Sequence, residues 1–304
     1  MIKLFHINDH VINTVMFNNL LHDRCVSNFE TVIANYVGAE YAVGLNSATS
    51  AIFLLTKLFN PQTVSIPSMI PPVVPNAIIT GGSQVGFYDN TNWVGGEYRL
   101  TPEIIDSAQA IYKDQFALYG RSAKCIVYSM YPTKPIGSCD GGIVATNDKN
   151  LYKALKEMSM NGMSFAENNW DRKQNSIGYK MYMNSIQAEI AMRNFFKLEE
   201  KKEKLVEVRH KYNTAFGLSN VSEHLYRINV RNNREFIEAA KANGIVCGIH
   251  YDTCHDKPIF GFHASLPLSE AERETTVSIP FHEALTEYEI NKVIQFTNEQ
   301  IKND

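Results

Sequence analysis

A lysine and an aspartate separated by 134 − 106 = 28 positions are the residues of this chain best suited to chemistry. Lys134 lies in Ser129-Met130-Tyr131-Pro132-Thr133-Lys134-Pro135-Ile136-Gly137, soon followed by Gly141-Gly142, and Asp106 lies in Ile104-Ile105-Asp106-Ser107-Ala108-Gln109. A lysine amine can hold the aldehyde of pyridoxal phosphate (PLP) as a Schiff base. A carboxylate paired with the pyridine nitrogen keeps that ring protonated and electron-withdrawing. Neither residue is informative alone, since an aspartate often caps a turn and a loop lysine beside prolines is ordinarily solvated. Together they suggest a PLP site.

A phosphate group needs its own holder. The turn Asn46-Ser47-Ala48-Thr49-Ser50 lies between an apolar strand pattern and a helix start, where free N–H groups and the helix dipole favour an anion. Such residues also cap helices in general. Ser129, five positions before Lys134, offers a second hydroxyl from the strand that leads to the lysine. The stretch Cys247-Gly248-Ile249-His250-Tyr251-Asp252-Thr253-Cys254-His255 holds two cysteines and two histidines, but its spacing matches no common zinc site, and no metal is expected.

These residues must be placed by alternating short strands and helices. Apolar spacing predicts a helix over 29–37 stopped by Gly38, a strand over 41–45 and a helix over 47–59. Further apolar runs predict strands at 63–67, 84–88, 103–106, 125–129 and 142–146, six in all with 41–45. From Ile186 to about Arg209 the pattern predicts one long helix with a charged, solvated face. A strand near 225–230, a helix over 234–243 and a closing helix from Thr286 to about Lys302 then suggest a smaller second domain, so the expected division is 1–205 and 206–304.

Composition narrows the classes. The chain has 304 residues, 44% hydrophobic and 20% charged, which suits a soluble globular protein with more than one core. A net charge of −3 without a basic run argues against nucleic acid, and no apolar stretch approaches a membrane span. The start lacks the apolar centre of a signal peptide, and five cysteines without a CxxC pair read as free thiols, so a cytoplasmic setting is expected.

From residue 29 onward the order of motifs resembles the DegT/DnrJ/EryC1/StrS family of PLP-dependent sugar aminotransferases. The matching pieces are Phe29-Glu30 with Tyr36-Val37-Gly38, Asn46 through Ala51, Ile66-Pro67-Ser68, Asp106-Ser107-Ala108-Gln109, Ser129 through Lys134 and Asp140-Gly141-Gly142. Gly178-Tyr179-Lys180, Gln187-Ala188, His250-Tyr251, His255 and Val277-Ser278-Ile279-Pro280 follow in family order. The resemblance implies an α/β, type I (aspartate aminotransferase-like) fold with a small C-terminal α+β domain. It also implies that Lys134 binds PLP and moves protons, that Asp106 pairs with the ring nitrogen and that Gln109 helps hold the ring. Ala48, Thr49 and Ser129 would cradle the phosphate, and His250, Tyr251 and His255 would line the mouth toward the substrate. The implied reaction moves an amino group from glutamate to a nucleotide-linked keto sugar in a homodimer with shared active sites. The family's dehydratase branch has histidine where this chain has Lys134, which points to amino transfer.

Some features depart from the family pattern. Ile70-Pro71-Pro72 stands where an aromatic residue or threonine stacks on the cofactor, and Ala48 replaces a glycine. Lys180 or Tyr182 would have to serve where an asparagine or arginine reaches the partner's phosphate. Between Tyr88 and Asp106 a strand-helix unit is missing, and the Asp106 strand is expected to follow the Tyr88 strand by a loop. That shortening leaves open an aminotransferase for a smaller keto compound, or a decayed PLP-binding or interaction protein.

Overall fold

In the computed structural model, which describes residues 1–119, 122–165, 172–262 and 264–303, strands and helices alternate from the first capped turn onward. Asp23 accepts the Cys25 amide and opens α1 (Arg24–Val37), whose Phe29, Ile33, Ala34 and Val37 are buried along one stripe. β1 (Tyr41–Leu45) follows, and Ser47 caps α2 (Ala48–Phe59) by accepting the Ser50 amide. Next come β2 (Thr63–Pro67), α3 (Val73–Gly81), β3 (Gln84–Tyr88), β4 (Tyr98–Thr101), β5 (Ile104–Asp106), α4 (Gln115–Tyr119), β6 (Cys125–Ser129) and β7 (Gly142–Thr146). The chain continues through α5 (Lys149–Ser159), β8 (Met163–Phe165), β9 (Arg172–Gln174), α6 (Ser185–Phe195), α7 (Leu198–Phe216) and β10 (Tyr226–Asn229). It closes with α8 (Asn233–Ala242), α9 (Pro267–Thr275), β11 (Thr276–Ile279) and α10 (Glu287–Asn303).

The main sheet has the order β1-β7-β6-β5-β4. β7 is antiparallel to both β1 and β6, β5 runs parallel to β6, and β4 is antiparallel to β5 at the edge. β5 and β7 are buried throughout and β6 in all but its last residue, which is why they read as unbroken apolar runs. Alternate side chains feed two cores. Val43, Val127 and Val144 pack with Leu54 of α2, Ile78 of α3 and Leu155 of α5, while Ala42, Ile126 and Ile143 pack with Ile33 of α1 and Ala188 of α6. β2 and β3 pair in parallel as a separate two-stranded sheet, and their Val64, Ile66 and Phe87 join the first of these cores.

A third core gathers the antiparallel β10–β11 pair with α7, α8 and α10 through Tyr212, Tyr226, Phe236, Val277 and Phe296. The N-terminal segment reaches it, because Ile2 is buried there and bridges Ile245. Leu198 packs in the second core and Leu205 in the third, so α7 itself joins them.

Two expectations are corrected. The stretch after Tyr88 is not a bare loop: β4 forms there and folds back on β5 as a hairpin. Its Tyr98 and Leu100 are buried and its Arg99 exposed, an alternation too short to stand out in the sequence. The long helix expected from 186 to 209 is two helices. Lys197 leaves the helical region at φ −101° and ψ 1°, and its amide turns back to Asn194 O at 3.1 Å. The break lets α6 pack on α1 while α7 runs on against α10. Among the described residues no helix is long and apolar enough to cross a membrane.

Candidate active site

The parallel pairing of β5 with β6 and the antiparallel pairing of β6 and β1 with β7 bring the carboxyl ends of β1, β5 and β6 to one side of the sheet. This is the end at which open α/β sheets bind ligands. A cavity of about 480 Å³ lies there, with Ala48, Thr49, Asp106, Gln109, Ser129, Lys134, His250 and Tyr251 all in its wall. Eight of the ten residues expected at the site are thus brought together.

Lys134 is fixed by two consecutive turns, its own amide donating to Tyr131 O at 2.8 Å and its carbonyl accepting from the Gly137 amide at 2.9 Å. Its Nζ lies 3.3 Å from His224 Nε2. Desolvation lowers the lysine's pKa to about 8, against the opposing pull of the Asp106 charge. His224 is buried, and desolvation and then the Lys134 charge push its pKa well down, so it meets the amine as a neutral ring. Phe5 stacks on that ring at 5.5 Å and holds its plane.

Asp106, only 3% exposed, accepts from Tyr98 OH at 2.6 Å and from the Ala108 amide at 3.0 Å. Burial raises its pKa, while the Tyr98 and Ala108 hydrogen bonds and the Lys134 charge oppose that rise. Gln109 accepts the Gly95 amide at 2.8 Å through Oε1. Ser129 accepts the Tyr131 amide at 3.2 Å.

Ala48 and Thr49 begin α2, and first-turn N–H groups of a helix have no intrahelical acceptor. The amide of Ser50 is taken by Ser47 Oγ at 3.1 Å. β7 starts hard against this turn: a Cβ on Gly142 would come within 2.5 Å of Ala48 N and Ser47 C. This donor set fits PLP. A partly desolvated amine suits the aldehyde, a buried carboxylate suits a protonated ring nitrogen, and a helix N-terminus suits the phosphate.

The remaining wall is largely apolar, made by Ile52, Ile70, Pro71, Val74 and Trp93. Trp93 stacks on Tyr251 with ring centroids 6.2 Å apart. His250 is held by Ser278 Oγ at 3.0 Å, and desolvation lowers its pKa to about 4, so it too is neutral.

Two expected residues lie elsewhere. His255 does not line the cavity; it is 2% exposed, with Nδ1 at 2.6 Å from Ser68 Oγ and Nε2 at 3.2 Å from Glu270 Oε1, a buried histidine satisfied on both sides. Lys180 is exposed and absent from the cavity wall, its backbone bridging Met160, and the nearby Tyr182 packs on His22 at 4.6 Å. Sequence reasoning missed His224, Phe5 and Tyr98. None carries a local signal, since a lone histidine before a strand, a phenylalanine near the N-terminus and a tyrosine in a short hairpin are all ordinary. Cys254 Sγ donates to Ile70 O at 3.3 Å while His250 faces the cavity, so the cysteine-histidine stretch is spread over different surroundings.

A sequence model described as the DegT/DnrJ/EryC1/StrS aminotransferase family matches residues 6–92 and 101–297. The chain is 25% identical over 349 residues to the spore coat polysaccharide biosynthesis protein SpsC of Bacillus subtilis (strain 168), covering 91% of this chain and 90% of that protein. It is 24% identical over 326 residues to the UDP-4-amino-4,6-dideoxy-N-acetyl-beta-L-altrosamine transaminase of Campylobacter jejuni, covering 86% and 85%. Among solved structures, Helicobacter pylori PseC, an aminotransferase involved in pseudoaminic acid biosynthesis, superimposes with a TM-score of 0.82 at 18% identity, covering 99% of this chain and all of that one. The aminotransferase TlmJ from Streptoalloteichus hindustanus gives 0.82 at 19% identity, covering 94% and 93%. The expected α/β, type I fold is therefore present. The unmatched residues 93–100 are the approach to the β4–β5 hairpin and most of β4; on both sides of them the match runs nearly to the chain ends, and the chain belongs to the DegT/DnrJ/EryC1/StrS aminotransferase family.

Proposed function

We propose that this chain is a PLP-dependent aminotransferase that moves an amino group from glutamate onto a nucleotide-linked keto sugar, as a cytoplasmic homodimer. The observation that carries the reading is the meeting of Lys134, Asp106 and the N-terminus of α2 at one cavity. The names of the relatives, a polysaccharide biosynthesis protein and a transaminase of a UDP-linked sugar, support the substrate class.

When bound, PLP supplies an electron-withdrawing ring that makes the carbon bearing the amino nitrogen acidic enough to lose a proton. The chain's own residues do the rest. Lys134 would hold the cofactor aldehyde, and its free amine would carry the proton between the reacting carbons. His224 Nε2, at 3.3 Å, is placed to receive the freed amine. Asp106 would hold the ring nitrogen's proton, Gln109 would steady the ring, and Ala48, Thr49 and Ser129 would hold the phosphate. Trp93, Tyr251 and the apolar wall exclude water from the reacting carbons.

The test is the visible absorbance of the purified protein after addition of PLP. The wild type should show the band of lysine-bound cofactor and Lys134→Ala should lack it. A wild type without that band would remove the catalytic reading. A screen of nucleotide-linked keto sugars against simple keto acids, with glutamate as donor, then tests the substrate class.

A further inference from the structure

Residues 93–100 fall outside the family match, yet they grip the catalytic strand and its turn one residue after another. The Gly95 amide donates to Gln109 at 2.8 Å, Glu97 accepts from Ser107 Oγ at 3.0 Å, and Tyr98 OH donates to Asp106 Oδ2 at 2.6 Å. The last pairing follows from register, since Tyr98 and Asp106 are direct cross-strand partners in the β4–β5 hairpin. Glu97 is itself held by Tyr112 OH at 2.9 Å, by Gln115 and by Tyr119, so the strap is anchored on the side away from the cavity. Ser222 Oγ donates to Gly95 O at 2.8 Å and ties the strap to the segment leading into His224.

The carboxylate needs such a partner. Asp106 is 3% and Tyr98 6% exposed, and a buried carboxylate reverts to the neutral acid unless donors stabilise its charge. A neutral acid cannot hold a pyridinium. The hydroxyl is not needed for packing: the Tyr98 ring already meets Trp93 edge-on at 4.8 Å, and phenylalanine would keep that contact. What phenylalanine would lose is one short charge-assisted hydrogen bond.

We infer that Tyr98 is a positioning residue for the cofactor: its hydroxyl keeps Asp106 ionised for the ring nitrogen, a task this chain assigns to a strap of its own. The inference rests on the reading of the cavity as a PLP site and deepens it. It also explains how the shortened segment leaves the aspartate supported.

The experiment compares wild type and Tyr98→Phe, each reconstituted with PLP and with the PLP analogue that has a CH group in place of the ring nitrogen. Tyr98→Phe should bind PLP about tenfold more weakly, the worth of a charge-assisted hydrogen bond, and bind the analogue as tightly as the wild type does. The acid limb of the bound-cofactor absorbance should move to higher pH in the variant. In the apoprotein, carbon NMR of the Asp106 carboxyl should show its titration displaced upward as well. Equal weakening for both cofactors would make Tyr98 merely structural and overturn the inference, as would no weakening for either. Should Tyr98→Phe be too unstable to purify, 3-fluorotyrosine at position 98 asks the same question with a more acidic hydroxyl. The acid limb should then move to lower pH, and an unmoved limb overturns the inference. In every arm the wild type's own band reports whether the PLP site exists, so failure of the site and failure of Tyr98's role are read separately.

Discussion

Lys134 must be an amine rather than an ammonium to attack an aldehyde, and its surroundings favour the amine by lowering its pKa from 10.5 to about 8. The same burial has a cost in stability with a definite sign. Between about pH 8 and 10.5 the unfolded chain keeps a proton that the folded chain has released, so folding stability rises with pH across that window. Below about pH 8 the buried ammonium exerts its full penalty. Lys134→Met should therefore be more stable than the wild-type apoprotein at pH 7, by about 3 kcal/mol, with the advantage fading toward pH 10.5. Thermal or urea denaturation over that pH range measures it, and a pH-independent difference would mean that the lysine is not desolvated. Of the groups that stand around this amine, Asp106 was legible in the sequence and His224 was not. A carboxylate in a recognisable motif can be found by order alone, whereas His224 stands 90 positions from the lysine it meets and only folding joins them.

Secondary structure brings the turn at the start of α2 to the cavity, and close backbone approach holds it there. Because a Cβ on Gly142 would lie 2.5 Å from the first amide of α2, Gly142→Ala must push β7 and α2 apart. The variant should lose about 2 kcal/mol of stability in urea denaturation and bind PLP at least about tenfold more weakly in an absorbance titration. An unchanged affinity would place the phosphate away from α2. Strands β5, β6 and β7 were legible because they are buried against helices and their residues form largely apolar runs. The β4–β5 hairpin was not, since four residues of β4 carry too little pattern to separate strand from loop. The break between α6 and α7 was hidden for a related reason: helical spacing persists across Lys197, and the bend comes from the packing on either side.

At the scale of the molecule, the chain leaves a band of apolar side chains uncovered. Val11 is 90% and Val15 88% exposed, and Met16, Leu20 and Leu21 beside them are exposed too. A patch of this kind marks an interaction surface, and a second copy of the chain is the partner that the proposed homodimer would put there. On the proposed homodimer, the wild type should scatter light as two 34.4 kDa chains and Val15→Glu combined with Val11→Glu as one, with weakened PLP binding. A double variant that remains dimeric with unaltered PLP affinity would place the interface elsewhere. Lys180, exposed and outside its own chain's cavity, is available to such a partner.

By itself the sequence determined the strand and helix alternation, the lysine and aspartate that meet at the cavity and the turn at the start of α2 that lines it, because each rests on local periodicity or on ordered motifs. Tertiary structure alone decided which surroundings those residues meet. It set His224 against Lys134, took His255 out of the cavity and buried it between Ser68 and Glu270, and turned residues 93–100 into a strap whose Tyr98 supports Asp106. The physical reason is the same in each case: burial and hydrogen-bond partners across long sequence separations are properties of packing, and no local pattern encodes them.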